Sequence, residues 1–196
     1  MNGRSKQRGF TLVEVIVVVA VIAILAAVLT PYITKYIDDS RVAKAKNETQ
    51  VIGAAMASFY KDLGRWPNRI NAATNYNGVF AGTVAPTAAM GLGVNGWAAA
   101  GAQWNALDTH LQTNGHTYPQ PPVVSEALWR GPYATQLPVD PWGRPYVINS
   151  QEFAQPASLA IPVWVMSAGP DGVLDTVVGP GGQTTPQDDD IGFRIR

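Results

Sequence analysis

The first third of the chain contains one long apolar run. Residues 10–30 read FTLVEVIVVVAVIAILAAVLT, in which only Thr11, Glu14 and Thr30 are polar. About 20 apolar residues are enough to cross the hydrocarbon core of a bilayer. The run therefore predicts a transmembrane helix over residues 10–30.

An amphipathic stripe follows the apolar run. Apolar or small residues recur there at spacings of three and four, which is typical of one buried helix face. The stripe consists of Val42, Ala45, Thr49, Ile52, Met56, Phe59 and Leu63. It predicts that the first helix continues through residues 31–66, with a kink or local unwinding at Pro31. Gly64 and Pro67 end it.

The rest of the chain has only short and weak signals. Residues 67–130 carry few charges and predict a long insertion loop, with one short helix over residues 98–111. Residues 131–196 predict a small β module, in which residues 147–149 and 161–166 are short strands. The predicted fold class is α+β, with a long N-terminal helix packed on a small antiparallel sheet.

Charge and composition exclude several classes of protein and indicate a membrane orientation. Fourteen basic and 14 acidic residues give a net charge of zero, so bulk attraction to nucleic acid is not expected. The absence of cysteine removes disulfides, thiolate metal sites and cysteine nucleophiles. Arg4, Lys6 and Arg8 precede the apolar run, which predicts a cytoplasmic N-terminus and an exported remainder. The run lacks an A-x-A cleavage site, so we expect it to remain as a single-pass anchor.

Two further patterns are weak evidence for ligand binding. Residues 91–96 match G-x-G-x-x-G, but no apolar strand precedes them and no acidic residue follows at the required distance. His110 and His116 are six positions apart, so packing is favoured over metal binding. No combination of nucleophile and base is recognisable, so the chain is not predicted to be an enzyme, and an anchored hydrolase is the disfavoured alternative.

The N-terminal motif resembles that of a known family. Residues 9–14 read GFTLVE between a basic leader and the apolar run, and this order is similar to the signature of type IV pilins and pseudopilins. The resemblance implies that a prepilin peptidase removes leader residues 1–9, cutting between Gly9 and Phe10, and methylates the amine of Phe10. Glu14 and Pro31 then occupy the family's fifth and twenty-second mature positions. A carboxylate in an apolar run is costly and usually has a partner. Once the leader is removed, the nearest candidate is the amine of Phe10, either in the same chain or, as the resemblance implies, in the next subunit.

Four later blocks are similar to the major pseudopilins of type II secretion systems. They are residues 60–67, 137–146, 167–172 and 188–192, reading YKDLGRWP, LPVDPWGRPY, SAGPDG and DDDIG. The resemblance implies a subunit of a homo-oligomeric helical filament that grows from the inner membrane. Its expected partners are the inner-membrane assembly platform and minor pseudopilins, and its C-terminal domain is expected in the periplasm or in an extracellular filament. The alternative is a type IV pilin used for adhesion or motility.

The acidic blocks near the end of the chain predict a structural Ca²⁺ site. Calcium prefers six to eight oxygen ligands from carboxylates and carbonyls. The resemblance implies Asp171 and Asp190 as ligands, together with the Ala168 carbonyl and Asp189. We add Asp175, because Val173 offers only its carbonyl where some members of the resembled family have a hydroxyl side chain. A solvated acidic tail without metal is the alternative.

Overall fold

The computed structural model describes residues 9–69, 75–101, 103–121, 127–154 and 161–196. Its helices are α1 (Leu12–Leu63) and α2 (Asp108–Leu111), with 3-10 turns at Ala88–Met90 and Ser150–Ala154. Its strands are β1 (Gly78–Ala81), β2 (Trp104–Ala106), β3 (Tyr146–Ile148), β4 (Trp164–Ser167) and β5 (Ile191–Arg194). The predicted α+β class is confirmed. Two compact units divide between Ser40 and Arg41.

The first unit contains the apolar part of α1. Side chains from Phe10 to Ser40 are exposed, and the helix is long and apolar enough to cross a membrane. The helix continues through Pro31, so the predicted local unwinding is absent. Next to this proline, which lacks an amide donor, the Thr30 hydroxyl donates to the Ala26 carbonyl at 2.7 Å. The basic leader residues 1–8 lie outside the described residues.

In the second unit, the helical stripe packs against the sheet as its spacing predicts. Val42 is half-buried, and the other six residues of the stripe are buried. Gly53 also faces the sheet, where a Cβ would lie 2.6 Å from the Phe193 ring. The Tyr146 hydroxyl donates to the Glu48 carboxylate and so connects β3 to the helix. A wide helix face is therefore buried between residues 45 and 63.

The sheet has five strands in the order β2-β1-β3-β4-β5. β1 pairs with β2 in parallel, whereas β1–β3, β3–β4 and β4–β5 are antiparallel. The sheet is thus mixed and larger than the antiparallel sheet that the sequence predicts. The difference arises because the predicted insertion loop contributes two strands, β1 and β2, and the β module contributes a further strand, β5, that the sequence analysis did not predict.

The short helix predicted over residues 98–111 is only partly present. Helical structure is confined to α2, whereas Trp104 lies in β2. Trp104 pairs with Gly78, and its ring covers the space that a Cβ on Gly78 would occupy. The prediction fails here because strand pairing with a distant segment replaces local helical hydrogen bonds.

The two faces of the sheet carry separate apolar clusters, because side chains alternate along each strand. We call the first the helix-facing core; it includes Phe59 of α1 with Tyr146, Ile148 and Val165 of the sheet. We call the second the outer core. Its members are Met90, Leu92, Trp97, Val147, Trp164, Met166, Ala168, Leu174 and Val178. The sequence predicts the α1 side of the first cluster, which also contains insertion residues such as Leu111 and Tyr118. The second cluster depends on other residues of the insertion and on the acidic C-terminal segment.

Candidate assembly motif and metal centre

The N-terminal motif forms a capping box at the start of α1. The Thr11 amide and hydroxyl each donate to Glu14 Oε2 at 2.8 Å, and the Glu14 amide donates to Thr11 Oγ1 at 3.2 Å. This reciprocal arrangement satisfies amides that the first helical turn leaves without partners. Glu14 therefore has a partner within its own chain, which the sequence analysis did not predict.

Gly9 and Phe10 precede the first helical turn and are exposed. The bond between them lies in non-helical backbone next to the capping box. Phe10 has 88% of its surface exposed, so its side chain has little intramolecular packing. The geometry leaves this bond accessible, and Phe10 precedes Glu14 by four residues.

The candidate metal centre lies in the acidic loop, which we define as residues 168–190. Asp171, Asp175 and Asp189 each offer a carboxylate oxygen, and these three oxygens lie within 4.8 Å of one another. Asp171 is exposed and the other two are half-buried. Among the described residues, this is the one group of three or more potential metal ligands. The structure thus brings three of the five predicted ligands together, although Asp171 and Asp189 are 18 positions apart in the sequence.

Hydrogen bonds hold the ends of the loop against each other. The Asp171 amide donates to Asp189 Oδ2 at 2.9 Å, and Asp171 Oδ1 accepts from the Val173 amide at 2.8 Å. The predicted ligand Ala168 accepts from the Gly172 amide at 2.9 Å through its carbonyl. Gly169 has a φ of 58°, and a Cβ there would overlap the carbonyl of Asp189. A residue without a side chain is required at this approach.

Asp190 is outside the group of three and organises the loop backbone. Its Oδ2 accepts from the Asp175 amide at 3.0 Å and from the Thr176 amide and hydroxyl at 2.7 Å each. Burial raises the pKa of Asp190 to about 6, while these hydrogen bonds act in the opposite direction. Its buried Oδ1 has no hydrogen-bond partner among the described residues. Asp190 therefore retains one unsatisfied oxygen beside the acidic cluster.

The electrostatics of the cluster are those of uncompensated carboxylates. The pKa of Asp175 is raised by desolvation and then by the negative charges of Asp171, Asp188 and Asp189. Like charges at this separation disfavour joint ionisation. A hard cation with oxygen ligands would remove that repulsion, so the residues present fit calcium.

A turn from the β module supports the same loop. Asp140 accepts from the Arg144 amide at 2.8 Å through Oδ1 and from the Ser167 hydroxyl at 2.7 Å through Oδ2. Arg144 in turn donates through its guanidinium to the carbonyls of Gly169 and Pro170. Sequence analysis identified this block but did not predict that its arginine would hold the acidic loop.

The two histidines meet in the helix-facing core. Their ring centroids are 4.3 Å apart, and His110 is fully buried. His110 Nδ1 shares a 2.6 Å hydrogen bond with the Tyr118 hydroxyl, and His116 Nε2 lies 3.0 Å from the Thr109 hydroxyl. Burial lowers the pKa of His110 to about 2, so it is neutral at physiological pH. These contacts support the packing role.

Comparisons with known proteins give matches to the N-terminal motif and to a segment in the second half of the chain. A family model for the prokaryotic N-terminal methylation motif matches residues 4–30, and a model for type II secretion system protein G matches residues 111–185. The chain is 28% identical over 143 residues to the type II secretion system core protein G of Pseudomonas aeruginosa, covering 73% of each chain. No solved structure gives a significant match.

The capping-box helix, the methylation motif and the sheet domain define a pilin-like protein with a prepilin-type N-terminus. Within that class, the matches to protein G of type II secretion systems support a G-type pseudopilin, which is a structural filament subunit. Its N-terminal helix and family fit anchoring in the inner membrane and processing by a prepilin peptidase.

Proposed function

We propose that the chain is the major subunit of a type II secretion pseudopilus, a filament that drives folded proteins across the outer membrane. The prepilin peptidase cleaves between Gly9 and Phe10, and the inner-membrane platform and minor pseudopilins direct assembly. The N-terminus starts in the cytoplasm and the residues after the apolar run lie across the membrane. The observation that carries this proposal is the GFTLVE motif on an apolar helix in a chain whose C-terminal half matches protein G.

Glu14 would act at the assembly step. It is the one acidic residue of the apolar run, and its own Thr11 already holds the carboxylate at the start of the helix. Pairing with the Phe10 amine of a neighbouring subunit would then set the register between helices, because an intramembrane charge favours a specific partner.

Deletion and complementation test this assignment. Deletion should abolish export of the system's substrates, and mass spectrometry of the wild-type protein should show an N-methylated Phe10. Glu14→Leu should fail to restore export, whereas Thr30→Val, a matched loss of a polar group at the other end of the run, should restore it. Normal export in the deletion strain together with long surface pili on wild-type cells would instead assign the chain to adhesion or motility.

We also propose a structural Ca²⁺ in the acidic loop, held by Asp171, Asp175 and Asp189. The close carboxylate oxygens and the unsatisfied Asp190 oxygen support it. When bound, calcium would cancel the repulsion between these groups and join the two ends of the loop. Ala168 and Asp190 would shape the loop from their present hydrogen bonds.

Thermal unfolding with and without chelator tests the metal. The wild-type chain in detergent should melt at a higher temperature in calcium than in chelator. Asp171→Asn with Asp189→Asn should remove that difference, and Asp188→Asn, a change in the same acidic block outside the cluster, should keep it. If the melting temperature of the wild-type chain is the same in calcium and in chelator, the proposed Ca²⁺ site is wrong.

A further inference from the structure

A segment of the insertion lies directly against the acidic loop. We call residues 90–97 the brace. Five hydrogen bonds join it to the loop. The Leu174 amide donates to the Met90 carbonyl at 3.0 Å, and the Val178 amide donates to the Asn95 carbonyl at 2.7 Å. The Trp97 indole N–H donates to the Thr176 carbonyl at 2.8 Å.

The Asn95 side chain supplies the remaining two bonds. Its Nδ2 donates to the carbonyls of Leu174 and Asp175, at 3.1 and 3.3 Å. Asn95 has a φ of 53°, in the left-handed region that asparagine tolerates better than most residues. One side chain therefore contacts the backbone of a candidate metal ligand directly.

Apolar packing supports the same contact. Met90, Leu92 and Trp97 of the brace belong to the outer core, as do Leu174 and Val178 of the acidic loop. Trp97 and Val178 each have only 3% of their surface exposed, and Leu174 has none. The Trp97 hydrogen bond is buried, and a buried hydrogen bond is costly to leave unsatisfied, so the two segments constrain each other.

The brace explains the G-x-G-x-x-G pattern without a nucleotide. Gly91, Gly93 and Gly96 have φ values of 75°, 87° and 82°. A Cβ on Gly96 would overlap the carbonyl of Val178. The glycines thus permit tight turns and a close approach between two backbones, which is the physical role of glycine in such loops.

The contacts extend to both halves of the acidic cluster. Asn95 and Trp97 bind the carbonyls of Asp175 and Thr176. Thr176 donates through its hydroxyl to Asp190, and its hydroxyl accepts from the Gln187 amide at 2.9 Å. The brace therefore acts on the backbone that carries Asp175 and, through Thr176, on the segment that carries Asp189.

We propose that the brace holds the acidic loop in its ligand-presenting conformation without metal, and that Asn95 and Trp97 are positioning residues for the cation. The second half of this inference rests on the proposed calcium site. The insertion then replaces part of the ordering that the cation would otherwise have to supply. Preordering of this kind raises affinity because less conformational entropy is lost on binding.

Hydrogen exchange on the metal-free full-length chain in detergent tests the brace by itself. The test variant is Trp97→Phe with Asn95→Gly, which keeps an aromatic ring and the left-handed backbone but removes three side-chain hydrogen bonds to the loop. The matched control is Trp104→Phe with Asn114→Gly. That control also removes an indole bond, to the Ala99 carbonyl, and the side chain of an asparagine with positive φ, but the hydrogen bonds that it removes are to Ala99 and Tyr118 and not to the acidic loop.

The test variant should speed exchange of residues 171–190 by at least about tenfold without metal, because three hydrogen bonds to the loop are lost. The control should leave that segment unchanged. Calorimetric titration with Ca²⁺ should show about tenfold weaker binding in the test variant than in the control. Unchanged exchange in the test variant, or an equal increase in the control, would overturn the brace. Absence of Ca²⁺ binding to the wild-type chain would defeat the calcium proposal, and the exchange measurement would still decide the brace.

Discussion

The two faces of the sheet are built from different sources. The helix-facing core combines one long helix with alternate residues of the strands, including Phe59, Tyr146 and Val165, and it also contains insertion residues such as Leu111 and Tyr118. The outer core has no helix of comparable length among the described residues, and irregular segments from the insertion and the acidic loop cover Trp164 and Met166. One face is thus covered by the long helix α1 together with part of the insertion, and the other by two loops that stabilise each other.

This difference indicates that the helix-facing core determines the stability of the whole domain, whereas the outer face determines how the candidate ligands are presented. A helix packed through a continuous stripe orders many residues at once, so changes there should affect the whole domain. Loops held by a few side-chain bonds and glycine contacts should respond locally. The candidate ligands lie on the loop side, where geometry can be adjusted without disturbing the helix.

The largest effect is expected in the helix-facing core. Phe59 is fully buried and contacts Tyr118 and Tyr133 edge-on, with ring centroids 5.3 and 5.6 Å away. Phe59→Ala should lower the free energy of unfolding by about 3–5 kcal/mol, because a large cavity replaces the ring. Urea unfolding of the chain in detergent measures the loss. A loss confined to a few exchanging amides, without a change in the global transition, would contradict the difference between the faces.

A smaller and local effect is expected on the outer face. Gly96→Ala should cost about 1–3 kcal/mol, since its Cβ would overlap the Val178 carbonyl. Gly101→Ala is the control, because Gly101 has a similar φ of 89° but no atom within 4 Å of a Cβ. Hydrogen exchange should increase in residues 171–190 only for Gly96→Ala. Equal behaviour of the two variants would show that backbone strain, rather than the contact between segments, matters.

Acid should weaken the helix-facing side through His110. Its pKa is lowered to about 2, chiefly by burial, whereas the unfolded chain protonates near 6.5. The neutral ring therefore stabilises the fold fully above pH 6.5. This contribution is lost as pH falls below 6.5, by about 1.4 kcal/mol per pH unit. The free energy of unfolding should therefore be about 1 kcal/mol lower at pH 5.5 than at pH 6.5, with the full slope reached below pH 5.5.

Replacement of each histidine identifies the source of the slope. His110→Gln should flatten the pH dependence, and His116→Gln, at the half-buried neighbour, should flatten it less. A slope that survives in His110→Gln would assign the acid response to other groups.

The smallest effect should lie outside both faces. Thr11→Val removes the hydroxyl of the capping box and should destabilise the start of α1 by about 1 kcal/mol, while Thr11→Ser should retain the bond. Exchange of the first helical amides measures the change in membrane-mimetic detergent. Sheet amides on either face should be unaffected, which makes this pair a reference for the other variants.

Local periodicity accounts for what the sequence predicts well. The stripe from Val42 to Leu63 and the strands β3 and β4 are encoded by spacing and β-branched residues close together in the chain. The acidic cluster was accessible from residue type and block order, since three of its predicted members meet. The sequence does not indicate which oxygen of Asp190 accepts hydrogen bonds from backbone amides, because that depends on the position of Thr176.

The missed elements depend on distant partners. β1 has only four residues and no alternation of polarity, and it pairs with β2 and β3 from separate segments. The glycines of the brace are recognisable in the sequence as a G-x-G-x-x-G pattern. Such a pattern does not indicate which backbone segment the glycines approach. Residue spacing alone cannot report such non-local contacts.

The strand order also has a kinetic consequence. β3 and β4 are near neighbours in sequence, whereas Val79 of β1 pairs with Ile148 across most of the domain. Closing the longer loop costs more chain entropy, and this cost arises before any stabilising contact has formed. We therefore expect α1, β3 and β4 to associate early in folding and the insertion to dock late, so that the acidic loop acquires its final form in the last step.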